Sequence, residues 1–135
     1  LRNLRERRGD EAHAAGARLL VFRGAGKSFC AGFDLGEFEH QSEGDLLLRF
    51  VRIELLLQAI ANSPAQTLAL AHGKVFGAGV DLFAACKQRI AAPDSIFRMP
   101  GLKFGLVLGT RRFGEIRWTA TERREPLKAL TQAAA

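Results

Sequence analysis

The sequence predicts an α/β fold with parallel strands, because short apolar runs alternate with a long helical segment and glycine-rich turns. The chain has 135 residues, of which 47% are hydrophobic and 25% charged. That size and composition fit one soluble globular domain with a single core. No internal repeat is visible, and no apolar run reaches membrane-spanning length, so we expect no membrane contact.

The first elements are a helix and a strand. Leu1 to Gly16 is predicted to be the end of a helix, with Gly16 as its stop. The continuous apolar run Leu19 to Phe22 predicts a strand that is buried on both faces. Gly24 to Ser28 is then predicted to be a loop.

A long helix follows in the middle of the chain. Ser42-Glu43-Gly44-Asp45 resembles a capping box, in which a serine hydroxyl and an acidic side chain satisfy free amides of the first turn. We therefore expect an apolar helix from about Leu46 to Ala61. Asn62-Ser63-Pro64 is predicted to end it, since proline disfavours helix in the residue before it.

The second half alternates strands with one further helix. Thr67 to Ala71 is predicted to be a buried strand, Gly73 to Gly79 a glycine-rich turn, and Asp81 to Lys87 a helix. Gln88 to Ala92 and Ser95 to Met99 are predicted to be short strands separated by Pro93-Asp94.

Charge and cysteine usage narrow the class of protein. The net charge is +6, but residues 24–110 carry eight basic and eight acidic side chains, so the excess lies at the two ends. Solvated basic ends therefore explain the charge better than a nucleic-acid surface, although they could assist an anionic ligand. Cys30 and Cys86 have no metal-ligand spacing, so we expect no metal, two buried thiols and a cytoplasmic location.

Two glycine-rich stretches, each directly after a predicted strand, carry the chemistry. They run from Gly24 to Leu35 and from His72 to Leu82. Glycine lets the backbone approach a ligand closely and adopt a positive φ. The second stretch opens a helix, whose first amides have no partner within the helix and can stabilise a developing negative charge.

A phosphate-binding P-loop is the competing interpretation of the first stretch. Gly26-Lys27-Ser28 matches the end of that motif. The motif also requires glycine at position 21, where this chain has Val21, and a helix directly after Ser28. Phe29 to Asp34, with Gly32 in its middle, is a poor helix start, so this hypothesis is the weaker one.

Taken together, these stretches resemble the crotonase family, which comprises the enoyl-CoA hydratases and isomerases. The similar segments, in family order, are Ser28 to Leu35, His72 to Gly79, Arg89 to Asp94, Phe97 to Pro100 and Lys103 to Leu106. The resemblance implies an incomplete ββα superhelix of the ClpP/crotonase type. It runs over residues 1–115, and residues 116–135 form a divergent tail. We expect the chain to be a fragment, since the family has further strands before it and helices after it.

The resemblance implies a function, namely binding an acyl-CoA thioester and stabilising its enolate during hydration or double-bond isomerisation. The thioester carbonyl would accept hydrogen bonds from the amides of Phe33 and Ala78. No cofactor is implied besides the CoA of the substrate. The remaining substrate-contacting positions would be Ala31, Asp34, Leu35, Gly77, Pro100 and Gly101. The family also implies a homotrimer or a dimer of trimers.

The acid/base positions match the family less well. Its hydratases use two glutamates, and the first falls on Asp81, a candidate general base. The second falls on Gly101, which cannot transfer a proton. A catalytically impaired CoA-binding remnant is therefore the alternative function, and for Asp81 a purely structural charge at a helix start is equally favoured. We expect His72 to make a structural hydrogen bond, and Lys27 and Lys74 to be solvated.

Overall fold

A computed structural model of the chain describes residues 15–34 and 41–101. The helix predicted before Gly16 lies outside the described residues, as do Leu35 and everything from Leu102 onward. The tail predicted for residues 116–135 therefore stays a prediction, as does the boundary that separates it from the core.

The described part repeats a strand–strand–helix unit. Two strands are followed by a helix, then by two strands and a second helix, and finally by two more strands. In chain order the elements are β1 (Leu19–Arg23), β2 (Ser28–Cys30), α1 (Glu43–Ala61), β3 (Gln66–Ala71), β4 (Lys74–Phe76), α2 (Ala78–Ala85), β5 (Gln88–Ala91) and β6 (Ile96–Arg98).

The six strands form two parallel sheets of three strands each, in the orders β1-β3-β5 and β2-β4-β6. Each strand–strand–helix unit gives its first strand to one sheet and its second strand to the other. This arrangement confirms the predicted α/β class, the parallel pairing and the ββα superhelix. It also brings together strands that are far apart in the sequence, which positions the site described below.

The serine cap at the start of α1 is confirmed, and the Asp45 carboxylate accepts from the Ser42 hydroxyl at 2.7 Å. The helix begins earlier than predicted. Ser42 Oγ accepts a hydrogen bond from the amide of Asp45 at 3.1 Å. Glu43 to Asp45 therefore form the first turn itself and do not merely precede it. At the other end the Asn62 amide donates to the carbonyl of Gln58 and closes the helix where the sequence predicted.

The glycine-rich turn at 73–79 differs from the prediction. It contains strand β4, and α2 begins at Ala78, ends at Ala85 and includes neither Cys86 nor Lys87. Strand β2 was likewise not predicted, and it begins at Ser28, the last residue of the predicted loop. Both strands have only three residues, which is too short for a period of two to be visible in the sequence. The first turn of α2 contains Gly79, and because glycine has a low helix propensity, the start of this helix could not be predicted from propensity.

The expectation that β1 is buried on both faces was wrong. Leu19 and Val21 are 52% and 46% exposed, while Phe22, the residue after Val21, packs against the core. Successive side chains of a strand point to opposite faces of the sheet, and in β1 only the face that carries Phe22 lies against the core. Ile90 of β5 shares the exposed face, because it pairs with Leu70 and is 59% exposed.

The core lies between the two sheets and the two helices. Among its aromatic members, Phe83 contacts both Phe29 and Phe97 edge to face. Thr67 is fully buried, and its hydroxyl oxygen accepts a hydrogen bond from the Lys87 amide at 2.8 Å. The buried hydroxyl therefore has a hydrogen-bond partner. No helix within the described ranges is both long enough and apolar enough to cross a bilayer.

We expect two helical glycines to respond in opposite ways to alanine. At Gly79 an added Cβ would lie 2.6 Å from the carbonyl oxygen of Cys30, so Gly79→Ala should lower the free energy of unfolding by about 1–3 kcal/mol. At Gly44 the nearest atom is 3.8 Å away, so Gly44→Ala should raise it by up to about 1 kcal/mol. Urea titration of both variants measures this. Equal effects of the same sign would contradict the close contact at Gly79.

Candidate active site

The candidate site lies at the carboxyl edge of sheet β2-β4-β6. Because the three strands are parallel, the segments that follow them leave the sheet at the same edge. Residues 31–33 follow β2, residues 77–78 follow β4, and residues 99–101 follow β6. In open parallel sheets this edge is where ligands bind. The fold therefore groups segments that the sequence alone could only treat one by one.

The first two segments are in direct backbone contact. Gly32 has a φ of 93°, and a Cβ on it would lie 2.7 Å from the carbonyl oxygen of Phe76 and 3.7 Å from Cα of Gly77. Only glycine allows this approach. The two amides of interest, those of Phe33 and Ala78, belong to the residues that directly follow this contact.

Ala78 is the first residue of α2. Gly77 precedes it with a φ of 50° and donates its own amide to the carbonyl of Arg98. The carbonyl of Gly77 accepts from Val80 and Asp81, which closes the first turn of the helix. Within residues 15–34 and 41–101, none of these bonds uses the amide of Ala78. This amide also lies at the positive end of the helix dipole, where it can stabilise an anionic oxygen.

Phe33 is held in place by helix α1. Its ring stacks on Phe50 with a centroid distance of 4.8 Å and an interplanar angle of 18°. The guanidinium of Arg49 lies 4.2 Å from the centroid of the same ring. Neither Arg49 nor Phe50 was predicted from the sequence to belong to the site. The available signal was a lone cation inside the apolar run Leu46 to Val51, where an uncompensated charge calls for a partner.

Asp81 lies in the first turn of α2 and is only 3% exposed. Ala78 and Asp81 are three residues apart, which places them on the same face of the helix. Pro100 and Gly101 follow β6 and are partly buried. Of the predicted substrate-contacting residues, Ala31 and Asp34 are exposed, and Leu35 lies outside the described residues. The structure thus places one carboxylate near the Ala78 turn and no side chain at position 101.

His72 makes the structural hydrogen bond that was predicted. Its Nε2 lies 2.8 Å from the carbonyl oxygen of Gly26, and since a carbonyl can only accept, Nε2 carries the proton. The Phe29 amide donates to the carbonyl of His72, which ties β2 to the same turn. Lys27 and Lys74 are exposed, as expected of solvated lysines. The P-loop hypothesis fails, because strand β2 and not a helix begins at Ser28.

The two cysteines lie in different surroundings, and neither forms a disulfide. Cys86 is 1% exposed, and burial raises the pKa of its thiol to about 12, against a smaller lowering by Arg89. The prediction of a buried thiol is therefore confirmed for Cys86. Cys30 is only partly buried and packs against Gly79 beneath the site. In the described ranges no three histidine, cysteine or acidic side chains could together hold a metal ion.

Comparisons with known proteins identify the family and the fold. A family model described as enoyl-CoA hydratase/isomerase matches residues 1–109. A crystal structure from Bordetella parapertussis that carries the same description superposes with a TM-score of 0.80 and 61% identity, covering 94% of this chain and 52% of that one. One from Legionella pneumophila, also named crotonase, has a TM-score of 0.74 and 28% identity, covering 93% and 49%.

A bovine relative matches this chain over a smaller part of the relative's own length. Enoyl-CoA hydratase domain-containing protein 2, mitochondrial, from Bos taurus is 39% identical over 93 residues, which are 68% of this chain and 31% of that protein. The chain thus spans about a third of the length of this relative and about half that of the solved structures.

The thiol environments predict selective labelling. In native protein at pH 8, iodoacetamide should modify Cys30 and leave Cys86 unmodified, because burial keeps the Cys86 thiol protonated and covered. In urea both should react, as peptide mass spectrometry would record. Cys86→Ala serves as the control and should leave native labelling unchanged. Equal native labelling of both cysteines would contradict the burial of Cys86.

The same raised pKa gives stability a pH dependence. The unfolded thiol ionises near its ordinary pKa of 9.0, whereas the folded thiol stays neutral to about 12. The stabilisation of the folded state by the neutral Cys86 thiol should be fully present below pH 9. It should be lost as the pH rises toward 12, because the unfolded state releases the thiol proton first.

Proposed function

The chain belongs to the enoyl-CoA hydratase/isomerase family, and we propose that it binds an acyl-CoA thioester at the carboxyl edge of sheet β2-β4-β6. The thioester carbonyl accepts hydrogen bonds from the amides of Phe33 and Ala78. One observation carries the proposal, which is the backbone contact between Gly32 and the Phe76–Gly77 turn. It fixes the two residues that immediately precede these amides against each other.

The proposed reaction is enolate chemistry. Polarising the carbonyl makes the β carbon of an enoyl thioester electrophilic, or makes an α or γ proton acidic, and the negative charge then develops on the carbonyl oxygen. One backbone donor aimed at such an oxygen is typically worth about 10²–10³ in rate. Asp81 is the proposed general base, and a positioned base adds roughly 10²–10⁴.

The remaining contacts to substrate follow from the same placement. Ala31, Asp34 and Leu35 after β2, Gly77 before α2, and Pro100 and Gly101 after β6 are proposed to line the acyl and pantetheine path. CoA is then part of the substrate, and no separate cofactor is proposed. Assembly as a homotrimer or a dimer of trimers, and a cytoplasmic location, stay predictions.

A catalytically impaired acyl-CoA-binding protein is the second candidate function. It is favoured by Gly101, the position where the resemblance places a second carboxylate. Hydration delivers a hydroxyl to the β carbon and a proton to the α carbon, so it uses two proton-handling groups. Isomerisation only moves one proton along the acyl chain of the substrate and can run on a single shuttling base. The lack of a carboxylate at position 101 would therefore affect isomerisation less than hydration.

We expect the chain to bind acetyl-CoA and to bind Mg-ATP weakly or not at all. Isothermal titration calorimetry with each ligand measures this. Gly32→Ala should weaken acetyl-CoA binding, because the added Cβ would push the first turn away from Phe76. Gly26→Ala is the matched control, since no atom lies within 4 Å of a Cβ added at Gly26. Tight ATP binding that Lys27→Ala abolishes would defeat the proposal.

We also expect crotonyl-CoA hydration by the unmodified chain to be very slow or absent. Gly101→Glu should raise the hydration rate by roughly 10²-fold or more, because it adds the missing carboxylate. Asp81→Asn in the Gly101→Glu background should remove that gain. The loss of the crotonyl-CoA absorbance measures hydration, and a separate 3-enoyl-CoA assay measures isomerisation. Brisk hydration by the unmodified chain would show that Gly101 is not limiting.

A further inference from the structure

Arg49 makes three contacts, two of which are to the turn that follows β2. Its guanidinium lies 4.2 Å from the centroid of the Phe33 ring. Its NH2 group donates to the backbone carbonyl of Asp34 at 2.9 Å, and its NH1 group donates to Oε1 of Gln41 at 2.6 Å. A single side chain on α1 therefore holds both the ring of Phe33 and the backbone directly after it.

These contacts complete a restraint on the Phe33 amide from both directions. On the amino side, Gly32 lies against the carbonyl of Phe76, which fixes the peptide unit that contains the Phe33 amide. On the carboxyl side, Arg49 fixes the carbonyl of Asp34, and Phe50 fixes the Phe33 ring by stacking on it. The Phe33 ring is half-buried, and its stacking on Phe50 gives α1 a direct contact with this turn.

We propose that Arg49 is a positioning residue, which aims the Phe33 amide at the substrate carbonyl without touching substrate itself. The inference rests on the proposed function, because it assigns a role to an amide that the proposed function uses. A planar guanidinium suits this role, since it can donate two directed hydrogen bonds and lie on a ring at the same time. Misplacing a reacting group by about 1 Å can cost about 10²-fold in rate, so such positioning has a large effect.

The test uses a readout that does not depend on turnover. Acetyl-CoA labelled with carbon-13 at the thioester carbonyl is bound at saturation, and infrared spectroscopy measures its carbonyl stretch. Hydrogen bonds from the two amides lower this frequency relative to free acetyl-CoA. Arg49→Gln should lose at least half of that shift while the Kd changes only a few-fold. Arg52→Gln is the matched control, because Arg52 is an exposed arginine of the same helix, and it should keep the full shift.

The outcomes separate this inference from the proposed function. A full shift in Arg49→Gln, with only a lower urea midpoint, overturns the positioning role and leaves the proposed function intact. Absence of any shift or of binding in the unmodified chain defeats the proposed function and the inference with it. If Arg49→Gln does not fold, Arg49→Lys decides, since lysine keeps the positive charge but lacks the planar guanidinium that donates to two acceptors while lying on the Phe33 ring. An intermediate shift in Arg49→Lys supports the inference, and a full shift overturns it.

Discussion

The close approach of two backbone segments at the carboxyl edge of sheet β2-β4-β6 is the constraint on which the described structure depends. A Cβ at Gly32 would lie 2.7 Å from the carbonyl oxygen of Phe76, and one at Gly79 would lie 2.6 Å from that of Cys30. Real Cβ atoms do not come so near. The end of β2 can therefore lie against the start of α2 only if both positions are glycine. The pairing of β2 with β4 and the placement of Ala78 both follow from this contact.

The sequence predicted the architecture better than the element boundaries. Alternating apolar runs and helical segments indicated parallel strands, and Ser42 and Asn62 marked the two ends of α1 closely, because capping chemistry is local. The three-residue strands β2 and β4 could not be predicted from periodicity, since each is shorter than a pattern needs. The exposure of Leu19 and Val21 depends on which face of the sheet packs against the core, which no local pattern encodes.

The residues of the candidate site show the same contrast between local features, which the sequence predicts, and contacts across the fold, which it does not. Phe33, Ala78, Asp81 and Gly101 were predicted from the glycine-rich motifs and the family resemblance, because each lies in or directly beside a continuous segment that resembles the family. The role of Arg49 and Phe50 required coordinates, because they come more than fifteen residues after Phe33 and reach it across the fold. A lone arginine in an apolar run signals that a partner exists, but it does not say which residue that partner is.

Backbone and side-chain chemistry tolerate sequence change differently, and this difference governs what the chain can do. An amide donor survives replacement of its own side chain as long as the glycines beside it keep the backbone in place, so alanine at position 78 leaves the donor intact. A proton-transfer group disappears with its side chain, as at Gly101. Under the proposed function, polarisation of a bound carbonyl is therefore the property that we expect the chain to retain best. Hydration, which adds a second proton-handling requirement, is the property that we expect it to lose first.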